Sequence, residues 1–395
     1  MKERWNQSRR QWLGACASLG SATVLAGCFG SDSDDDSSPE EENVTGADWP
    51  MYGVDLQNTN YQSNATEVEG DELTKSSVIE LDGISTHPIT ISEGYICGHS
   101  TGGKMFTIDI DTGNILWERE NFGRPIIHDG TVYGPTTDER IHGYNIKNGD
   151  HWESQTIDSI DGLGYPLPTE EAIFVFSSEV LWKVDYETGE YTKVIELPPY
   201  IGGYSEWPAF QDGVIYMSRS SEMHAINVKT PEILWTFEPE GGGSMADSNP
   251  TIGNGLIYTT SRDQNLHAIE IESGNEVWSI DTDTRAETSP AFANDIVYLA
   301  ESGRAVAVDA DSGEIVWEDA ESIIGKPQDM VIVGETCYTA TRFGIWTHDA
   351  STGDLNWEYR IPDESDVGFN APPTISDGQI YVPSDDEKLY SIGGS

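Results

Sequence analysis

The sequence predicts an all-β protein: an eight-bladed β-propeller of four-stranded blades, with its last blade closed by a strand from the N-terminal end. Three observations predict it. A phrase ending in Asp-x-x-Thr-Gly-x-x-x-Trp recurs along the chain, a second phrase ending in an Ile-Tyr pair recurs between its copies, and no apolar run has helical periodicity.

The first phrase is clearest as Ala307-Val308-Asp309-Ala310-Asp311-Ser312-Gly313-Glu314-Ile315-Val316-Trp317. It returns as Ile108 to Gly113 with Trp117, Asn145 to Gly149 with Trp152, Ala268 to Gly274 with Trp278, and His348 to Gly353 with Trp357. Two copies are worn: Pro231 takes the Gly place ahead of Trp235, and Lys193 stands where Trp would follow Gly189. The second phrase runs from Pro208 to Tyr216, Pro250 to Tyr258 and Pro373 to Tyr381, with Pro125 to Tyr133 and Pro290 to Tyr298 matching. Cys97, Phe174 and Tyr338 fill the same aromatic place, which makes eight copies. They advance from 97 to 381 in seven steps of 36 to 43 residues, a mean of about 41, and such periods belong to stacked or radial arrays.

Within each unit, short β-branched and aromatic runs alternate with Asp-Gly or Asn-Gly and then Thr-Gly or Ser-Gly turns. Four strands fit: one after the Pro, one holding Ile-Tyr, one holding the Asp segment and one holding Trp. The last unit stops at Leu389-Tyr390-Ser391-Ile392, before any Trp strand. A spare strand, Val78-Ile79-Glu80-Leu81, is expected to complete that blade and latch the ring, which leaves only short edges exposed.

The Ala-x-Asp-x-x-Thr-Gly-x-x-x-Trp phrase resembles the repeat of the pyrroloquinoline-quinone (PQQ)-like propellers. Asp48-Trp49-Pro50-Met51-Tyr52-Gly53 and Asn58-Thr59-Asn60-Tyr61 resemble the opening of that superfamily. The resemblance covers about residues 47–395 and implies that Trp117, Trp152, Trp235, Trp278, Trp317 and Trp357 dock neighbouring blades. The superfamily includes quinone-dependent dehydrogenases and outer-membrane assembly lipoproteins, so it speaks to fold more than to function.

Ahead of the propeller, Ser8-Arg9-Arg10-Gln11-Trp12-Leu13 resembles a twin-arginine export signal, with Arg9 and Arg10 as the pair. A small, apolar run follows to Leu25-Ala26-Gly27-Cys28, which resembles a lipobox whose cysteine carries lipid. Residues 1–27 are therefore expected to be a signal peptide. Residues 28–46, rich in Asp, Glu and Ser, are expected to be a solvated tether. The expected location is the extracellular face of the cytoplasmic membrane, with Cys28 as the anchor. Asn43 and Asn64 head glycosylation sequons.

Charge excludes one class outright. Against 21 Lys plus Arg stand 69 Asp plus Glu, a formal net charge of −48, and nucleic-acid binding needs the opposite balance. Aromatic residues are 10% of the chain, too many for a disordered polyanion. Acidity with a stocked core resembles the surface of a protein from a halophile, here read as an archaeal lipoprotein.

Familiar catalytic arrangements are missing from the sequence. There is no Gly-x-Ser-x-Gly elbow, Walker loop, adjacent Cys pair or Cys-x-x-Cys-His. The Asp-x-Asp-x-Gly turns resemble the start of a Ca2+ loop, but Ala320 stands where the twelfth-place Glu would follow Asp309. The eight His are scattered, with no pair four apart, so no metal site is expected. Cys97 and Cys337 fall in units one and seven and are expected to be free thiols.

The remaining candidate is an axial mouth, formed where the segments preceding the innermost strands converge: His87, Arg124, Tyr165, Trp207, Asn249, Ser289, Lys326 and Asn370. The expected function is a monomeric, non-catalytic scaffold that binds a protein partner or a small ligand, with no cofactor. The alternative is a dehydrogenase using PQQ with Ca2+.

Overall fold

The computed structural model describes residues 48–394, except 64, 71–72, 81–82, 84–87, 101, 121–122, 158–161, 178, 199–206, 246–247, 283–287, 302 and 362–366. The expected signal peptide and tether, with Cys28 and Asn43, lie outside the described residues, as do Asn64 and His87.

Eight four-stranded antiparallel sheets follow one another along the chain, one of them carrying an added edge strand. Blade 1 is built from Thr90–Ser92, Tyr95–His99, Lys104–Asp109 and Ile115–Glu120. The innermost strands of blades 2 to 8 are Ile126–His128, Pro166–Pro168, Ala209–Gln211, Thr251–Gly253, Ala291–Ala293, Val331–Val333 and Thr374–Ser376. These strands are three residues long because eight of them share a narrow axis. In blades 5 and 7 all three residues are buried. The outermost strands alternate instead, as in Ile115–Glu120, where Trp117 is the buried residue on a largely exposed edge.

Inner hairpins turn where the sequence placed Asp-Gly and Asn-Gly. At Asp129-Gly130 the φ angles are 47° and 65°, and at Asn254-Gly255 they are 51° and 73°. Two consecutive positive φ angles define the turn whose twist matches paired strands. The outer turns use side chains: Asp309 Oδ1 accepts from Ser312 N at 2.9 Å and from Ser312 Oγ at 2.7 Å. Asp109 does the same with Thr112, and the hydroxyl beside it holds its carboxyl below the usual range. These carboxylates therefore serve as turn acceptors.

Most of these Trp residues bond a neighbouring blade. The indole Nε1 of Trp117, Trp235, Trp278 and Trp317 donates to Ile146 O, Ile271 O, Ala310 O and Ala350 O at 3.0, 3.0, 2.9 and 2.8 Å, each acceptor lying in the outer turn of the next blade. The glycine of that turn lies under the ring: a Cβ on Gly353 (φ +74°) would sit 2.5 Å from Trp317. Trp152 differs. It stands edge-on to Tyr133 with ring centroids 6.1 Å apart, and it follows its Gly by three residues where Trp117, Trp278, Trp317 and Trp357 follow theirs by four.

The predicted latch is present and longer than expected. Thr74–Glu80 pairs antiparallel with Lys388–Gly393 as the outer strand of blade 8, with Thr74 opposite Gly393 and Glu80 opposite Lys388. Just before it, Val68 takes the place of an outer turn, because Trp357 Nε1 donates to Val68 O at 3.2 Å. The N-terminal region thus supplies both the missing strand and the docking turn of the last blade. Cys97 and Cys337 are buried free thiols in different blades, and burial pushes the Cys97 thiol up to about 12.

Candidate functional site

Residues 49–62 run around the inside of the ring, which the repeats alone do not announce. The second residue of one inner strand after another donates its N–H to a carbonyl of this segment. Ile91 bonds Trp49, Ile127 bonds Pro50, Phe210 bonds Leu56, Ile252 bonds Gln57, Phe292 bonds Thr59 and Ile332 bonds Asn60, all at 2.6–2.9 Å. Tyr61–Gln62 then adds a parallel edge strand to blade 7. Inner-strand N–H groups facing an axis have no further strand to bond, so a plug that supplies carbonyls satisfies them. The curl requires left-handed residues: Gly53, Val54, Asn58 and Asn60 have φ of 73°, 76°, 56° and 54°.

Asp55 is enclosed by this curl. Thr59 N and Oγ1 donate to its carboxylate at 2.9 and 2.5 Å, yet burial prevails and raises its pKa to about 6. The folded state therefore holds this proton more tightly than the unfolded chain, so the group's contribution to stability is full below about 4 and declines as pH rises through 6. Asp55→Asn keeps the uncharged form at every pH. Its melting temperature relative to the parent is expected to rise between pH 4 and pH 7, and a difference independent of pH would sink this reading.

The strand register fixes which residues rim the mouth. Counting back from the pairs Ile126–Tyr133, Thr251–Tyr258, Ala291–Tyr298 and Val331–Tyr338, the residues two before each inner strand's partnered position are Arg124, Asn249, Ser289 and Asp329. Tyr165 and, in blade 4, Trp207 are their equivalents. Blade 7 thus places Asp329 on the rim, where the proline spacing had pointed to Lys326. Met330 occupies the proline position there, so the repeat could not be aligned by eye. Lys326 is exposed three residues earlier. In blade 8 the equivalent place is Pro372, two residues past Asn370.

The rim is a hydrogen-bonded relay. Trp207 N donates to Asn249 Oδ1 at 3.0 Å, Asn249 N to Ser289 Oγ at 3.1 Å, and Ser289 N to Asp329 Oδ1 at 2.8 Å. Each side chain caps the backbone of the preceding blade. From the plug, the Tyr52 hydroxyl donates to Asp329 Oδ2 and lies 3.0 Å from Ser289 Oγ. Burial, reinforced by the Asp329 charge, holds the Tyr52 phenol well above its ordinary pKa, and burial likewise raises Asp329. Asn58 Nδ2 reaches Trp207 O and Pro250 O, both at 3.0 Å.

An aromatic stack continues the rim on the other side. Trp207 stacks on Tyr52 at 5.4 Å between centroids and on Tyr165 at 5.0 Å, and the Arg124 guanidinium lies 4.8 Å from the Tyr165 ring centroid. Arg124, Tyr165, Trp207, Asn249 and Ser289 are therefore brought together as the sequence implied, and Tyr52 and Asp329 join them. A planar quinone needs an accessible aromatic face, but Trp207 is only 8% exposed. A Ca2+ ion needs several available oxygens, but both Asp329 oxygens already accept hydrogen bonds, Oδ2 from Tyr52 and Oδ1 from Ser289 N. Trp207 and Asp329, as placed, do not supply that cofactor pair with a stacking face or a ligand set.

Fold and rim together define a closed eight-bladed propeller whose axis is filled by its own N-terminal segment. The chain belongs to the family described as outer membrane protein assembly factor BamB, which matches residues 64–190 and 170–327. Among curated relatives, the quinohemoprotein alcohol dehydrogenase of Comamonas testosteroni is 26% identical over 218 residues, which is 48% of this chain and 30% of that protein. The chain thus matches less than a third of that relative's length. The crystal structure of that enzyme superposes with a TM-score of 0.69 at 14% identity, covering 90% of this chain and 82% of the other. BamB from Moraxella catarrhalis superposes with a TM-score of 0.61 at 17% identity, covering 81% and 97%. Both structural likenesses speak to fold alone.

Proposed function

We propose that the protein is an exported, membrane-anchored lipoprotein whose propeller is a non-catalytic scaffold for a protein partner or a small ligand. The observation that carries this reading is the construction of the mouth. Asn249, Ser289 and Asp329 bond neighbouring backbones, and Tyr52 and Trp207 are buried against each other. Polar groups committed to holding a ring together are poorly placed to turn over a substrate. Half-buried Arg124 and Tyr165 are the part of the rim on which a small ligand would rest. The family relationship favours a protein partner at the envelope, and the Arg9-Arg10 and Cys28 motifs favour export and lipid anchoring.

The rival reading, a PQQ- and Ca2+-dependent dehydrogenase, draws on the matched dehydrogenases. One experiment with two arms separates them. A thermal-shift titration of the full chain with PQQ and Ca2+ in molar KCl is expected to give no saturable stabilisation. In cells, Cys28→Ser is expected to leave the protein out of the membrane fraction. Saturable stabilisation by PQQ, weakened by Arg124→Ala, would overturn the non-catalytic reading, and unchanged membrane association of Cys28→Ser would overturn the anchor.

A further inference from the structure

On the outer edge of blade 2, the strands Ile141–Asn145 and His151–Glu153 pair antiparallel, with Tyr144 opposite His151 and His142 opposite Glu153. Alternate residues of a strand share a face, so His142, Tyr144, His151 and Glu153 stand on one side of the sheet. Nδ1 of His142 lies 2.8 Å from Nε2 of His151, and the two rings stack with centroids 5.0 Å apart. The other ring nitrogen of His142 lies 3.2 Å from each carboxylate oxygen of Asp138. A carboxylate accepts, so that nitrogen carries the proton and Nδ1 turns its lone pair toward His151. One ligand atom from each of His142, His151 and Glu153 lies within 4.8 Å of the others. His142 is buried, while His151 and Glu153 are exposed, so the cluster opens to solvent on one side.

We propose that His142 Nδ1, His151 Nε2 and one oxygen of Glu153 bind a late first-row divalent metal ion, Cu2+ or Zn2+, with Asp138 orienting His142. Imidazole nitrogens sit about 2.0 Å from such an ion, which places two of them about 2.8 Å apart at a right angle and about 3.3 Å apart in a tetrahedron. The observed pair matches the first arrangement and needs to open by only about 0.5 Å for the second. A carboxylate on the distal nitrogen is the usual support for a metal-binding imidazole. Tyr144 backs both rings, at 6.3 Å from His142 and 4.7 Å from His151.

The surrounding charge selects the metal. Arg140 Nη1 lies 2.8 Å from Glu153 Oε1, leaving Oε2 for the ion, and the Arg119 guanidinium lies 4.8 Å from the Tyr144 ring centroid. These two cations offset Asp138 and Glu153, so an ion held through carboxylates alone gains little here. An ion that prefers imidazole keeps its two strongest bonds. With three protein ligands, the remaining coordination positions face water. The site closes the outer hairpin of blade 2 and lies apart from the axial mouth, so it stands whether or not the scaffold reading does.

The test uses the chelator-stripped full chain in molar KCl with excess Mg2+ over the surface carboxylates. One Cu2+ per chain is expected to bind tightly, with an electron paramagnetic resonance spectrum showing two coordinated nitrogens, and Cu2+ is expected to displace Zn2+ bound at the same site. His151→Ala is expected to abolish the two-nitrogen spectrum and weaken binding about 100-fold, and Asp138→Asn to weaken it about 10- to 100-fold. His151 is an exposed edge residue, and circular dichroism checks that the variant keeps its fold. Cu2+ bound without nitrogen couplings, or bound with undiminished strength by His151→Ala, overturns the proposal.

Discussion

Replacing Trp317 by Ala is expected to lower the free energy of unfolding by about 3–5 kcal/mol, the usual cost of removing a buried Trp. The ring is 8% exposed and lies against Gly353 of the next blade, so the change opens a gap between two blades. Packing is the larger part of the loss. The Ala350 carbonyl that Trp317 bonds at 2.8 Å also accepts from Tyr298 at 3.2 Å, so it keeps a partner. Trp152→Ala is the matched control. That ring is half-buried and touches Tyr133 edge-on, so its removal is expected to cost markedly less. Urea unfolding of both variants in molar KCl measures the difference, and equal losses would show that blade docking does not rest on the indole-to-turn contact.

The second large effect is expected from salt. A net charge of −48 on one chain repels itself over distances set by the Debye length, which is about 10 Å at 0.1 M and about 3 Å at 1 M. The described ion pairs neutralise only a small share: Lys147–Glu93 at 2.6 Å and Lys193–Glu196 at 2.5 Å are exposed surface contacts. Lowering KCl from 2 M toward 0.05 M, as the screening length grows by severalfold, is expected to lower the melting temperature steeply and to unfold the protein at the dilute end. A melting temperature independent of salt would falsify this account of the surface.

Much of the fold was legible because each blade repeats the same local chemistry. The Asp-Gly turns, the Asp-x-x-Thr-Gly turns and the docking Trp each solve one problem at one place, and a solution reused from blade to blade leaves a period. The plug at 49–62 occurs once and has no period. It bonds the inner strands mainly through its carbonyls, so little in its sequence marks the role. The rim was legible at Arg124, Tyr165, Trp207, Asn249 and Ser289, each directly before a proline, and it was missed by two residues in blade 8, where the sequence pointed to Asn370 and Pro372 holds the place. It was misplaced in blade 7, where Met330 replaces proline and hides Asp329. His142 and His151 are nine residues apart in sequence and meet only because a hairpin brings them to one face. A scan for helical or tight-loop spacing passes over such a pair.

The latch also sets an order of events. Thr74 bonds Gly393 across 319 residues, so the last blade lacks its outer strand until the C-terminal strand has been synthesised. The docking surface for Trp357 comes from Val68, made long before Trp357 itself. Blades 1 to 6 assemble from local hairpins as they emerge, but the circle closes through the longest loop the chain offers, the slowest kind of contact to form. Closing the ring is thus a step apart from building its blades, and it waits on the pairing of Thr74–Glu80 with Lys388–Gly393.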